Sequence, residues 1–374
     1  MNELELQLHY PLGETLPESG RCIEVAPGVK WVRMGLPFAL NHINLWLLRD
    51  ALDGPTGKIQ GWSIVDCCIH HDDAKAQWES VFAHELDGLP VLRVIVTHMH
   101  PDHIGLAHWL CQRWSGHSGE AANVGAYQCA LWISALDYQV ARWGCLGPGA
   151  FGGLRAAAFF ALHGLNDPDT LAKIGARTNY FPSLVPSVPE DYQRLLDGKV
   201  LDIGGRDWRC ISGYGHAPEH IALYCADLNV LIGGDMVLPR ISTNVSVYEQ
   251  EPEANALTLF LSSIDKFKTL PEDTLVLPSH GKPFTGIHTR IQQLHDHHRD
   301  RLAEVMAACA KKPSSAADIL PVLFTRPMDL HQISFALGES VAHLHALWFE
   351  KKLTRSCGTD GVLRFAACPS GRSA

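Results

Sequence analysis

Residues 92–103 read LRVIVTHMHPDH, and the rest of the chain can be placed around them. The β-branched apolar run 92–97 predicts a buried strand, and its end delivers His98, His100, Asp102 and His103 within six residues. On an extended chain alternate side chains point the same way, so His98 and His100 face together, while Asp102 and His103 fall where the next helix starts. Leaving such groups unpaired at the end of an apolar strand would cost about 1–3 kcal/mol each, a cost that a divalent cation removes. Imidazole and carboxylate donors without a thiolate suit zinc, iron or manganese.

Upstream, residues 29–50 alternate and then run apolar, broken by Gly35 and Pro37, which predicts two strands around a loop. GWSIVDCCI (61–69) predicts a short buried strand ending at Asp66, and DDAKAQWESVFAHEL (72–86) has helical spacing with Asp72 or Asp73 as its cap. Downstream, a helix follows His103. A short strand, NVGAY (123–127), then precedes a stretch from 128 to about 163 that reads as helical with a glycine-rich break at 144–153. Residues 166–189 are rich in proline and turn formers and are expected to form an irregular cap. Two strand pairs come next, one turning at Gly204-Gly205 and the other near 227–229, then a helix over 254–267 and the strand TLVLPSH (274–280). After about residue 289 the texture is helical over 289–310, 316–324 and 330–353, and it ends in a hairpin, TRSCGTDGVLRFAA.

At 374 residues the chain exceeds what one core usually organises, so one large domain with an appendage, or two domains, is expected. The formal charge of -9 repels polyanions, and no apolar run approaches the roughly 18 residues that span a bilayer. The first twenty-five residues carry early acids and no apolar leader core, so the cytoplasm is the expected location. Eleven cysteines without a Cys-x-x-Cys pair predict reduced thiols packed as small core residues. Twenty-one histidines are the anomaly, because several gather at the ends of apolar runs.

Three further groups stand at strand ends beside glycine: His216 in GYGHAPEH, Asp235 in LIGGDM and His280 in LVLPSHGKP. With them the sequence resembles the metallo-β-lactamase superfamily, whose His-x-His-x-Asp-His motif and later His, Asp and His match in order over roughly residues 20–290. The resemblance implies an α/β fold, the αββα metallo-β-lactamase sandwich, as a catalytic domain over 1–288 with an insertion at about 128–189. A C-terminal winged-helix-like domain would occupy 289–374. It also implies a two-metal site, with His98, His100 and His216 on one ion, Asp102, His103 and His280 on the other, and Asp235 between them. Such a pair, about 3.5–4 Å apart, polarises a substrate oxygen while a shared water attacks as hydroxide. Asp102 is expected to orient that water and help protonate the leaving group. Asp66 stands where relatives have an Asp-Thr-Gly turn, here Asp66-Cys67-Cys68, and is expected to orient a ligand histidine. His220 is expected to support the metal loop by hydrogen bonding, Asn44 to brace a loop, and His42 to make an ordinary polar contact. His295 and His298 are expected on a solvated or interdomain helix face.

Asp235 separates branches of the family. Zinc β-lactamases have Cys or Ser there, whereas glyoxalase II-type thioesterases, lactonases and tRNA-processing nucleases carry Asp. The C-terminal region resembles the winged-helix extension of a branch described both as glyoxalase-like hydrolases and as an endoribonuclease, but its Lys311, Lys312, Lys351, Lys352, Arg355 and Arg364 are offset by nearby acids. Aromatic residues of the insertion, among them Tyr138, Phe151, Phe160, Tyr180 and Phe181, either form a lid over a partly apolar acyl or aromatic substrate or pack the insertion's own helices or a dimer interface. Lys282, beside His280, could meet an anionic group. The expected activity is dinuclear-metal hydrolysis of a small-molecule thioester or ester, lactones included, with a metal-dependent ribonuclease as the alternative and a β-lactamase third. The expected partner is a small-molecule substrate, with no nucleic acid and no membrane, and a homodimer is allowed.

Overall fold

The computed structural model describes residues 3–54, 57–115, 128–147, 152–177 and 180–368. Strands β1 (Cys22–Ala26), β2 (Val29–Gly35), β3 (His42–Gly54) and β4 (Gly57–Val65) form an antiparallel meander. Helix α1 (Asp72–His84) returns the chain to β5 (Val91–Ile95), parallel to β4. Then come α2 (Pro101–Ile104), α3 (Ala107–Trp114), β6 (Ala130–Ser134), α4 (Ala135–Leu146), α5 (Gly153–Leu162), α6 (Pro168–Ala176), α7 (Phe181–Leu184) and β7 (Tyr192–Leu195). Strands β6 and β7 add in parallel, so the first sheet runs β1 to β7 in chain order.

A second sheet is built from β8 (Val200–Ile203), β9 (Arg206–Gly213), β10 (His220–Cys225) and β11 (Val230–Gly234), all antiparallel. After α8 (Ala256–Asp265), β12 (Leu275–Pro278) joins its edge in parallel with β11. The chain closes with α9 (Ile287–Lys311), α10 (Ala316–Leu323), α11 (Leu330–Phe349) and the hairpin β13 (Leu353–Cys357) and β14 (Leu363–Ala367).

Alternation along the strands sorts the residues into layers. Trp31, Trp46, Val65 and Ile95 face inward and meet Trp208, Ile221, Leu223 and Ile232 of the second sheet. Their neighbours Val32, Leu45, Leu47 and Val94 turn outward onto Trp78 and Phe82 of α1 and Leu110 of α3. On the far side Ala222, Leu231 and Val276 pack under Phe260 of α8, Ile291 of α9 and Leu337 and Val341 of α11. The result is a helix–sheet–sheet–helix stack, in which one core joins residues on both sides of position 288. Away from the strand ends that carry the histidines, Arg93 forms a bidentate ion pair with buried Asp50 (2.8 and 2.9 Å) and donates to the Asp202 carbonyl, linking β3, β5 and β8.

Several expectations are corrected. Residues 168–176 and 181–184 are helical rather than irregular. Asp167 caps α6 by accepting the Thr170 N–H (2.8 Å), and Pro168 occupies the first turn, so proline here starts a helix instead of breaking one. The strand before α4 is Ala130–Ser134, inside the stretch expected to be helical, and NVGAY lies outside the described residues. His71, not Asp72 or Asp73, caps α1 by accepting the Asp73 N–H. Among the described residues no helix is long and apolar enough to cross a membrane. All eleven cysteines are free, and most are buried.

Candidate metal centre

Each strand that carries a candidate donor stops just short of it. β5 ends at Ile95 and leads into His98, while Pro101 opens α2 so that His100, Asp102 and His103 bend over the strand end. β11 ends at Gly234 before Asp235, β12 at Pro278 before His280, and His216 lies in the turn that feeds β10. Seven side chains from both sheets thereby meet at one rim. His98 Nε2 stands 2.9 Å from His100 Nδ1 and 3.3 Å from His216 Nε2, and His216 Nε2 stands 3.4 Å from Asp235 Oδ2. The other oxygen, Asp235 Oδ1, is 3.5 Å from both His103 Nε2 and His280 Nε2, which lie 3.7 and 3.4 Å from Asp102 Oδ2.

These separations test the fit to a metal. Donors about 2.0–2.1 Å from a tetrahedral ion stand about 3.3 Å apart, close to every separation above. His103 Nε2, Asp235 Oδ1 and His280 Nε2 are buried without a hydrogen-bond partner, an arrangement a cation satisfies. Three overlapping triads can hold an ion: His98, His100 and His216; His98, His103 and Asp235; Asp102, His103 and His280.

The opposite edge of four of these rings is anchored. His103 Nδ1 donates to Asp66 Oδ2 (2.8 Å), His216 Nδ1 to the Asn244 carbonyl (2.8 Å), and His280 Nδ1 to the His42 carbonyl (2.7 Å). His98 Nδ1 meets Thr97 Oγ1 (3.0 Å), which itself donates to Asp66. Each anchor fixes the tautomer that leaves Nε2 bare. Asp66 reaches this position from a left-handed backbone (φ 62°), and Cys68 follows at φ 70°, so the turn forms without the glycine that relatives use.

Electrostatics point the same way. Burial, and then the neighbouring imidazoles, keep His98 and His100 well below the usual histidine range, as neutral bases. Burial opposes a proton on His103, but Asp66, Asp102 and Asp235 outweigh it and raise its pKa to about 10. Burial would raise Asp235 too, yet His280 and His103 hold it well below the carboxylate range. The carboxylates thus call for positive charge among the rings, and a cation supplies it while leaving the nitrogen lone pairs free to bind.

All seven predicted donors come together. Asp66 contacts one of them directly, and His220 lies beneath, accepting the Asp235 N–H through Nε2 (3.3 Å). A Cβ on Gly234 (φ 54°) would sit 2.1 Å from that nitrogen, so the glycine is required there. Asn44 braces the His280 loop, its amide donating to the Pro278 and Gly281 carbonyls. Lys282 does meet an anionic group, the Glu14 carboxylate (2.7 Å), and also donates to the Gly13 carbonyl. In the insertion Tyr138, Phe159, Phe160 and Phe181 are buried as packing, and Phe151 lies outside the described residues. His298 is buried against His343 between α9 and α11, and His295 pairs with Asp265 at the end of α8, so this face is packed against neighbouring helices rather than solvated.

Three contributors were not found in the sequence. Thr97 and Asn244 act as described. Asp137 is fully buried and accepts the Met99 N–H (2.8 Å) and the Glu219 N–H (2.6 Å), clamping the two histidine loops together. Its one signal was Ser134-x-x-Asp137, a helix-start pattern, and Ser134 does cap α4.

Comparison with known proteins supports the same assignment. The family model described as the metallo-beta-lactamase superfamily matches residues 43–280, and the one described as a metallo-beta-lactamase-like C-terminal domain matches residues 302–368. A beta-lactamase domain protein from Burkholderia ambifaria, solved as a crystal structure, is 52% identical with a TM-score of 0.88, covering 98% of this chain and 100% of that one. The probable metallo-hydrolase YqjP of Bacillus subtilis (strain 168) is 24% identical over 335 residues, 86% of this chain and 93% of its own length. A linear primary-alkylsulfatase from Pseudomonas sp. is 25% identical over 223 residues, which are 58% of this chain and only 39% of that protein. With its sandwich, its rim of histidines and aspartates and a family match over more than half its length, the chain belongs to the metallo-β-lactamase superfamily, as a metal-dependent hydrolase.

Proposed function

We propose that this protein is a dinuclear hydrolase of small-molecule thioesters or esters, lactones included, of the glyoxalase II-like kind. The observation that carries the reading is Asp235, whose two oxygens face different donor sets: Oδ2 towards His216, beside His98 and His100, and Oδ1 towards His103 and His280. A carboxylate so placed would serve two ions, with His98, His100 and His216 as the residues to hold one and Asp102, His103 and His280 the other. Zinc suits this donor set best, iron and manganese next. When bound, such a pair polarises the substrate's carbonyl oxygen and activates water near neutral pH.

The chain's own part is positional. Asp66, Asn244 and the His42 carbonyl hold the rings, and Asp137 holds the loops that carry them. Asp102 is the more exposed of the two carboxylates in the cluster, which lets it orient water and pass a proton to the leaving group. Aspartate rather than Cys or Ser at position 235 weighs against a β-lactamase. A second reading, hydrolysis of sulfate esters, is favoured by the similarity to the linear primary-alkylsulfatase over more than half of this chain.

The test is metal analysis of the purified protein, followed by a panel of thioesters, lactones, alkyl sulfates, β-lactams and short RNA, with His98→Ala as control. Turnover of thioesters or esters that His98→Ala abolishes is expected. RNA cleavage with no turnover of any ester would overturn the proposal.

A further inference from the structure

Beside the metal rim lies a groove of about 400 Å³ between the β2–β3 loop, the N-terminal segment and α1. Its polar lining is Ser19, Arg33, Asn41, His42 and Gln77, with no carboxylate. Arg33 is half-buried, on β2 directly opposite Asn44 of β3. Only its Nη1 is engaged, donating to Asn44 Oδ1 (3.3 Å) and to the Gly281 carbonyl (3.2 Å). Among the described residues Nε and Nη2 have no protein acceptor, and no carboxylate pairs with the guanidinium.

The buried arginines elsewhere are not left this way. Arg93 has Asp50, and Arg290 donates to the Leu238 and Ile241 carbonyls and to Gln293. Burial alone lowers the pKa of Arg33, and no counter-charge offsets it. A half-buried cation with free donors, walled by neutral groups, is matched by an oxyanion, which the planar guanidinium can take in two parallel hydrogen bonds. His42 does not compete for that role. Its Nε2 accepts the Gly281 N–H (2.8 Å), which puts its proton on Nδ1 towards Asn41 Oδ1 (3.0 Å).

The groove also abuts the metal rim. The Gly281 carbonyl that meets Arg33 belongs to the residue after His280, and the His42 carbonyl accepts the His280 Nδ1–H. We infer that this groove is a binding site for an oxyanion, a carboxylate, sulfate or phosphate group, carried by the substrate whose scissile bond lies at the metals. The second half of that inference rests on the hydrolase reading; the anion site itself does not. Lys282, the cation nearest His280 in sequence, is already neutralised by Glu14, which leaves Arg33 to set the charge preference.

Sulfate and acetate titrated calorimetrically into the full-length protein, with metal bound and after chelation, test the site. Binding that survives chelation is expected, weakened about tenfold or more in Arg33→Gln and less in Arg33→Lys, at unchanged metal content. Binding that disappears with the metal, that Arg33→Gln leaves intact, or that falls together with metal content in both variants would overturn it. Paired esters differing only by a remote carboxylate give a second readout. Arg33→Gln should cut the charged-to-neutral ratio of kcat/KM by about tenfold, and an unchanged ratio would remove the anion site while sparing the hydrolase. Arg33-dependent sulfate binding without hydrolysis of any ester would do the reverse.

Discussion

Asp66 serves two ligands at once. Its carboxylate accepts the Thr97 N–H and hydroxyl and the His103 Nδ1–H, so one fully buried group sets the ring of His103 and, through Thr97, that of His98. In Asp66→Asn one acceptor oxygen becomes a donor and opposes a neighbour that also donates. Metal affinity is expected to fall about 10–100-fold, read by chelator competition, and an unchanged affinity would mean that the rings are held by packing alone. The donors were legible because His98 to His103 are contiguous and the later three sit at strand ends beside glycine. Thr97, Asp137 and Asn244 were not. Each works through a main-chain group or a neighbour's ring, as with Asp137 and the amides of Met99 and Glu219, and such partners leave no residue-type pattern in the sequence.

Two elements bear on the site from a distance. Helix α11 docks on residues 243–247 through Gly338, where a Cβ would come within 2.8 Å of Ser246. The Val247 N–H donates to the Gly338 carbonyl, and the Asn244 amide reaches Glu339 (3.5 Å). Asn244 is the anchor of His216, so Gly338→Val should push that segment away. Metal affinity should then drop several-fold although no donor has changed, and chelator competition measures it.

The interface of α9, α11 and α5 supplies a pH dependence. Burial first, and His343 second, lower His298 to about 2, and burial followed by His345 and Arg355 lowers His163 to about 3. Folded-state values below the unfolded 6.5 mean that the unfolded chain gains protons which the folded chain refuses. The stability is therefore complete above pH 6.5 and is lost as pH falls towards 3. Urea unfolding of chelated protein between pH 7 and 4 should lose about 1.4 kcal/mol per pH unit less in His298→Leu than in the wild type. Identical slopes would show that this histidine does not titrate differently on folding. Most strand and helix types were readable from period and caps, but the strand Ala130–Ser134 was hidden in an alanine- and aromatic-rich stretch that read as helix. The cap residue His71 and the helices after Pro168 and in 181–184 were not, because proline and histidine were weighed there as breakers and bystanders rather than as starters.

Across the whole molecule the two sheets are tied at opposite ends by different chemistry. Near the turn after β8, the Asp50–Arg93 pair and the Gly204 N–H to Asp50 contact are permanent. At the other end, beside fixed hydrogen bonds from Asn44 to the Pro278 and Gly281 carbonyls and from the Ile221 N–H to the Thr97 carbonyl, the ties are the seven donors, split between the sheets, whose cohesion a bound cation would supply. A chelator should therefore loosen this sandwich first at the fore-edge, as the unclasped side of a book eases, with the spine intact. Amide hydrogen exchange would speed up around 97–103 and 216–220 while the amides beside Asp50 stay slow; uniform acceleration would mean that the whole binding gives way together. The same loosening would admit proteases to the loops that carry the histidines, so the supply of metal would govern the lifetime of this chain as well as its catalysis.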